Sequence, residues 1–123
     1  KQRLKICEVL FNREKTFHFT INDLAKSISD QLNEKISLAT VYNTVHAFKD
    51  KGYLKEISIN SDKSYFDTNI SDHHHFFDED TNQLIDCGND DIGKINIKNN
   101  ISGKKINSIE VLIKVASDNQ NQN

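Results

Sequence analysis

The sequence predicts an α+β fold: a winged helix-turn-helix in residues 1–68, followed by a small α/β domain in residues 69–117. Three segments of helical periodicity and then two strand-like runs occupy the first part, whereas the second part has mainly strand-like patterns. The charge changes near the same boundary. Residues 1–65 carry 11 Lys and Arg against 8 Asp and Glu, a net +3, and residues 66–123 carry 5 against 10, a net −5. This asymmetry predicts a mildly basic domain suited to a polyanion and an acidic domain suited to a cation.

Two helices are predicted before residue 37. Residues 2–12 repeat apolar side chains at helical spacing. The side chains expected to be buried there are Leu4, Cys7, Leu10 and Phe11. The second helix begins after Thr20, whose hydroxyl is expected to cap the backbone N–H of Asp23. Its expected buried positions are Leu24, Ala25 and Ile28.

The third helix has the clearest pattern. Ser37 is expected to cap it, and Gly52 is expected to end it. Its expected buried face is Leu38, Val41, Val45 and Phe48, and its expected outward face is Thr40, Asn43, Thr44 and Ala47. His46 projects from the same helix and is expected to contact solvent or phosphate. The pattern alone leaves two interpretations open: a helix that enters the major groove of DNA, or a three-helix unit that binds no nucleic acid.

Strand-like patterns follow the helices. Residues 54–59 and 63–68 flank a polar turn and predict a hairpin. Residues 73–78 and 83–87 predict a second pair of strands, and residues 106–116 alternate as a further strand. A short helix around Ile92 and Ile95 and a disordered tail over residues 118–123 complete the expected elements.

Composition excludes several classes of protein. Cys7 and Cys87 are the two cysteines in 123 residues, so neither a disulfide-dense scaffold nor a four-cysteine zinc site within one chain is possible. No apolar run approaches the ~20 residues of a membrane span, and no leader pattern is seen, which favours the cytoplasm. At 36% hydrophobic residues the expected core is modest, and pairing with a second copy would complete its burial.

The run from Asp72 to His75 is the most distinctive polar motif. On a strand, His73 and His75 face one side and His74 the other, so one strand can supply ligands to two sites. Imidazole suits zinc, iron, manganese or haem iron, and nearby carboxylates favour harder divalent ions. Asp67 and Asp86 are further candidates. A ligand at His18, in the helical half, would tie the two halves together. The alternative to a metal or haem site is that these histidines are exposed to solvent and bind nothing.

The residues alone are also compatible with two other function classes. A small metal-dependent hydrolase would use His73, His75 and Asp67, with an open coordination position. A haem-binding or trafficking module would use the histidines without binding DNA. No nucleophile–base set, glycine-rich phosphate loop or HExxH motif occurs in the sequence, so we expect no enzyme.

A family resemblance favours the DNA-binding interpretation. Residues 36–45, and above all Ala39-Thr40-Val41-Tyr42-Asn43, resemble the recognition helix of the ferric uptake regulator family. The similarity extends back through His18 to Gln2-Arg3 and forward through the predicted hairpin. Residues 65–77 are most similar to the iron response regulator branch, which senses haem. That branch also lacks the CxxC zinc motif of other members, as this chain does.

For DNA, the resemblance implies a homodimeric regulator of iron and haem homeostasis that binds an AT-rich inverted repeat. Tyr42 occupies the position of a base-contacting tyrosine whose ring packs on a thymine methyl. Asn43 replaces an arginine of some relatives, and Arg3 matches a backbone or minor-groove contact. Thr40 is the fourth expected DNA-binding residue.

For metals, the resemblance implies a regulatory site of His18, Asp67, His74 and Asp86 for Mn, Fe or Zn. Phe76 stands where the family has a further histidine ligand. His73 and His75 match a second site, which lacks its C-terminal histidine here. The metal is expected to fix the DNA-binding domains relative to the dimer core. Haem bound by His73, His74 and His75 is expected to disturb that arrangement and release the DNA.

Overall fold

A computed structural model describes residues 2–88 and 90–118 of the chain. It divides into two compact units, Lys1–Ile70 and Ser71–Asn123. This division falls two residues after the boundary expected from the sequence. Among the described residues, no helix is both long and apolar enough to cross a bilayer.

The N-terminal unit consists of three helices and a three-stranded antiparallel sheet. Its elements are α1 (Gln2–Phe11), β1 (His18–Phe19), α2 (Ile21–Leu32), α3 (Leu38–Asp50), β2 (Lys55–Asn60) and β3 (Lys63–Asp67), with strand order β1-β3-β2. The hydroxyl of Thr20 accepts a hydrogen bond from the N–H of Asp23 at 3.1 Å, so the predicted cap of α2 is confirmed. Ser37 caps α3 in the same way, and Gly52 follows α3 with a φ of +84°, which favours glycine.

The core of this unit differs from the predicted one at several positions. Leu4 and Leu38, expected inside, are 71% and 52% exposed, whereas Thr44, expected outside, is 2% exposed. Thr44 is tolerated inside because its hydroxyl donates to the Thr40 carbonyl at 2.8 Å, which satisfies the polar group. Cys7 is half-buried rather than part of the core. The buried core residues are Ile6, Leu10, Phe19, Leu24, Ile28, Ile36, Val41, Val45, Leu54 and Phe66.

The C-terminal unit contains a second three-stranded sheet. Its strands are β4 (His75–Asp78), β5 (Gln83–Asp86) and β6 (Leu112–Val115), in the order β5-β4-β6. β5 is antiparallel to β4, and β6 is parallel to it. Three helices and two sheets make the predicted α+β fold. However, β6 is much shorter than the expected strand over residues 106–116, and residues 90–102 form no helix. Gly, Asn and Asp in that segment disfavour regular structure.

The last described residues are tied to the turn between β4 and β5. The backbone N–H and the hydroxyl of Ser117 both donate to a carboxylate oxygen of Asp80, at 2.6 and 2.5 Å. These hydrogen bonds lower the pKa of Asp80. The tail predicted to be disordered falls mainly on residues 119–123, which lie outside the described residues.

Candidate functional site

The outward face of α3 presents polar and aromatic side chains to solvent. Tyr42 is 51% exposed, and Asn43 and Arg3 are also exposed. Thr40 differs from the other predicted DNA-binding residues, because it is half-buried and its hydroxyl lies 2.8 Å from that of Ser37. Three of the four predicted residues therefore have side chains available to a ligand, and Thr40 contributes to the helix cap.

A histidine on this helix has contacts that the sequence did not predict. The ring of His46 lies 4.2 Å from that of Tyr42 and 5.4 Å from that of Phe66. The i, i+4 spacing of Tyr42 and His46 allows contact along the helix, but the approach of β3 to this position has no signal in the local sequence.

One lysine of α3 is engaged by the hairpin of β2 and β3. The Lys49 ammonium lies 2.8 Å from the carboxylate of Glu56, and this contact raises the pKa of Lys49 and lowers that of Glu56. Part of the positive charge of the helix is thereby neutralised.

Two predicted metal ligands are neighbours in the N-terminal sheet. His18 of β1 and Asp67 of β3 are directly paired residues in the antiparallel register. Asp67 is a buried carboxylate, and its Oδ1 accepts from the N–H of Asn69 at 2.9 Å. The two-residue strand that positions His18 is too short to be recognised from alternation.

The C-terminal unit brings together three further predicted ligands. Asp86 ends β5 and is paired in register with His75 at the start of β4. One oxygen of Asp86 lies 3.1 Å from Nε2 of His75 and 3.3 Å from Nε2 of His73. The two imidazole rings are 4.3 Å apart. These side chains offer one ligand atom each, all within 4.8 Å of one another. We refer to His73, His75 and Asp86 as the His–Asp cluster.

Hydrogen bonding prepares His73 to bind a cation. Its Nδ1 lies 2.8 Å from the carbonyl oxygen of Ser71, which can only accept, so Nδ1 carries the proton of the neutral ring. The lone pair of Nε2 then faces the carboxylate of Asp86. Two acceptors facing each other are stabilised by a cation between them, either a proton or a metal ion. The donor set, two imidazoles and one carboxylate, suits Mn, Fe or Zn.

His74 is not in the His–Asp cluster. Its Nδ1 accepts from the backbone N–H of Val111 at 2.9 Å, so the neutral ring carries its proton on Nε2. Its lone pair is therefore already used. The structure thus groups Asp86 with His73 and His75, whereas the expected regulatory set joined Asp86 to His74. The strand expected over residues 73–78 begins only at His75, so His73 and His74 precede it, and their different hydrogen-bond partners set them apart: Asp86 for His73 and the Val111 N–H for His74.

Cys87 directly follows Asp86 of the His–Asp cluster. Burial raises the pKa of its thiol, and the carboxylates of Asp91 and Asp86 raise it further.

Comparisons with known proteins agree on one family. Residues 1–114 match the Ferric uptake regulator family. The chain is 34% identical over 85 residues to the peroxide operon regulator of Bacillus subtilis strain 168, which covers 69% of this chain and 57% of the relative. It is 33% identical over 69 residues to the peroxide-responsive repressor PerR of Staphylococcus aureus strain USA300, which covers 56% and 46%. The chain thus spans about half the length of these relatives.

Solved structures show the same fold. The ferric uptake regulator of Pseudomonas aeruginosa with manganese is 20% identical and superposes with a TM-score of 0.66, covering 95% of this chain and 87% of that one. The Campylobacter jejuni peroxide stress regulator is 22% identical, with a TM-score of 0.63 over 97% of this chain and 87% of that one. With the match over residues 1–114, the chain belongs to the ferric uptake regulator family.

Proposed function

We propose that this protein is a metal-responsive DNA-binding transcription regulator that acts in the cytoplasm as a homodimeric repressor. Family membership and the names of its relatives support a regulator rather than a hydrolase. The observation that carries the metal response is the convergence of two imidazole Nε2 atoms on one oxygen of Asp86.

The His–Asp cluster holds the divalent ion in this proposal. His73 and His75 donate through Nε2 and Asp86 through its carboxylate, and the Ser71 carbonyl keeps His73 in the required tautomer. His18 and Asp67, paired in the N-terminal sheet, are the further ligands that the family resemblance implies. A bound divalent ion would supply positive charge opposite the carboxylate of Asp86. Because imidazole binds metal only when neutral, metal affinity falls as the pH drops.

The DNA contacts in this proposal come from Tyr42 and Asn43 on α3 and from Arg3 on α1, with Thr40 fixing the start of α3. Two copies of the chain present two such helices to an AT-rich inverted repeat. The net +3 of residues 1–65 is small, so the affinity for random DNA is modest and its salt dependence shallow.

The effector is the finer part of the proposal. The resemblance of residues 65–77 to the iron response regulator branch supports iron or haem. Of the three histidines expected to bind haem, His73 and His75 are the proposed ligands, because the lone pair of His74 accepts the Val111 N–H. A second candidate effector is peroxide, acting when ferrous ion is bound, because the Bacillus subtilis and Staphylococcus aureus relatives are named as peroxide regulators.

One experiment tests the function and separates the effectors. Random duplexes are selected with the protein in the presence of Mn(II), and the captured DNA is then challenged separately with haem and, after exchange to Fe(II), with hydrogen peroxide. We expect enrichment of an AT-rich inverted repeat. Release by haem supports the haem response. Release by peroxide in the presence of Fe(II), without release by haem, supports the second candidate. If no sequence is enriched with Mn(II), and none when the selection is repeated with Fe(II) and with Zn(II), the proposed function is wrong.

A further inference from the structure

A row of aromatic rings connects the exposed face of α3 to the core of the N-terminal unit. The Tyr42 ring lies 4.2 Å from the His46 ring, at an interplanar angle of 39°. The His46 ring meets the buried ring of Phe66 edge-on, at 5.4 Å and 80°. Phe66 of β3 in turn stacks on Phe19 of β1 at 6.0 Å. One intermediate ring, that of His46, therefore separates an exposed tyrosine from a fixed buried ring.

We propose that His46 is a positioning residue for DNA recognition, which holds the Tyr42 ring in the orientation that packs on a thymine methyl. This inference rests on the proposed function, because the DNA contact of Tyr42 is part of that function. Base recognition then depends on His46, whose described ring contacts are with Tyr42 and Phe66 of the protein itself.

The physical basis is preorganisation. A tyrosine that is half-exposed on a helix samples several rotamers, and DNA binding must select one of them. A ring packed four residues further along the helix restricts this choice before binding. Phe66 is buried on β3, the central strand of its sheet, and its ring therefore limits movement of the His46 ring away from Tyr42. Fixing one such side chain in advance is worth roughly 3- to 10-fold in affinity.

The surrounding charges do not account for the arrangement. Lys49 is occupied by Glu56 at 2.8 Å, and the charge of His46 has only a minor lowering effect on the pKa of that carboxyl. Among the described aromatic contacts of His46, the shortest is with Tyr42, at 4.2 Å between ring centroids and an interplanar angle of 39°. Ring packing and a phosphate contact by His46 make different predictions, because a lost phosphate contact reduces the salt slope by about 0.9.

The test uses the duplex selected with Mn(II) and the same duplex with uracil in place of thymine, which lacks the methyl group. Affinities and salt slopes are measured for the wild-type chain and for His46→Ala, His46→Gln and His46→Phe. His46→Ala and His46→Gln are expected to bind the thymine duplex about 3- to 10-fold more weakly and to lose most of the preference for thymine over uracil. His46→Phe, which keeps a ring, is expected to retain both. The salt slope is expected to stay unchanged.

A double variant and the folding of each protein complete the test. Once Tyr42→Ala is made, adding His46→Ala is expected to cause no further loss, because both changes remove the same interaction. Circular dichroism checks that each variant is folded. If His46→Ala fails to fold, the comparison of His46→Gln with His46→Phe carries the test.

Failure of the proposed function and failure of the inference about His46 give different results. A wild-type chain that selects no duplex overturns the proposed function and this inference with it. If the wild-type chain selects a duplex, the inference alone is overturned by any of three results. These are retention of the thymine preference in His46→Ala, rescue by His46→Gln as well as His46→Phe, and a salt slope that falls by about 0.9.

Discussion

His73 and His74 are adjacent in the chain, yet replacing His73 is expected to lower the metal affinity, whereas replacing His74 is expected to lower only the stability. His73 directs Nε2 at Asp86, whereas His74 accepts a hydrogen bond from Val111 and has no lone pair left when neutral. His73→Ala removes a metal ligand. Since losing a group that merely orients a ligand costs about 10- to 100-fold in metal affinity, losing the ligand itself is expected to cost at least about 100-fold, or ~2.7 kcal/mol.

His74→Ala serves as the matched control. It removes the acceptor of the half-buried Val111 N–H, so we expect a loss of about 1 kcal/mol in unfolding free energy and an Mn(II) affinity within about 2-fold of the wild-type value. Mn(II) titration followed by calorimetry measures the affinities, and thermal unfolding without metal measures the stabilities. Equal losses of Mn(II) affinity in the two variants, or a larger loss in His74→Ala, would refute the assignment of His73 rather than His74 as the metal ligand.

Three other changes test separate parts of the structure. Leu24→Ala, in the core, is expected to lower the unfolding free energy by about 2–5 kcal/mol, whereas Leu4→Ala, on the surface, is expected to change it by less than about 0.5 kcal/mol in urea titrations. The pKa of Glu56 is lowered in the folded state, so its ion pair with Lys49 stabilises the fold above the ordinary pKa of 4.5, and this stabilisation is lost as the pH falls through the folded-state pKa. Glu56→Gln should therefore flatten the pH dependence of the unfolding free energy below pH 4.5. The expected change is about 0.5 kcal/mol, because Lys49 is partly exposed. Tyr42→Ala is expected to weaken binding of the selected duplex by about 10- to 100-fold, to a residual affinity that can still be measured, with an almost unchanged melting temperature; an unaltered operator affinity would contradict its role.

The helices could be predicted because their signals are local. Thr20 and Ser37 cap the helices as expected, since a cap depends on residues three positions apart. The exposure of Leu38 and the burial of Thr44 could not be predicted, because they depend on how the helix is rotated against its neighbours. A hydroxyl that bonds to its own helix also removes the usual penalty for a polar residue inside.

In the candidate site, too, tertiary contacts could not be predicted from the local sequence. His74 has a different partner from His73 and His75, as expected, but β4 begins at His75, so alternation along a strand does not explain the difference between His73 and His74. The choice of carboxylate partner is not local, because it depends on the register between β4 and β5, which pairs His75 with Asp86. The packing of His46 on Phe66 likewise depends on a contact between residues 20 positions apart in the chain.

The central claim is that a metal ion in the His–Asp cluster controls DNA binding. Fluorescence anisotropy of the selected duplex, titrated with Mn(II) at fixed protein concentration, tests it most directly in the wild-type chain and in Asp86→Asn. We expect DNA binding by the wild-type chain to require Mn(II), and Asp86→Asn to need at least about 10-fold more Mn(II) for the same occupancy. Equal binding with and without Mn(II), or the same Mn(II) midpoint in both proteins, would contradict the claim.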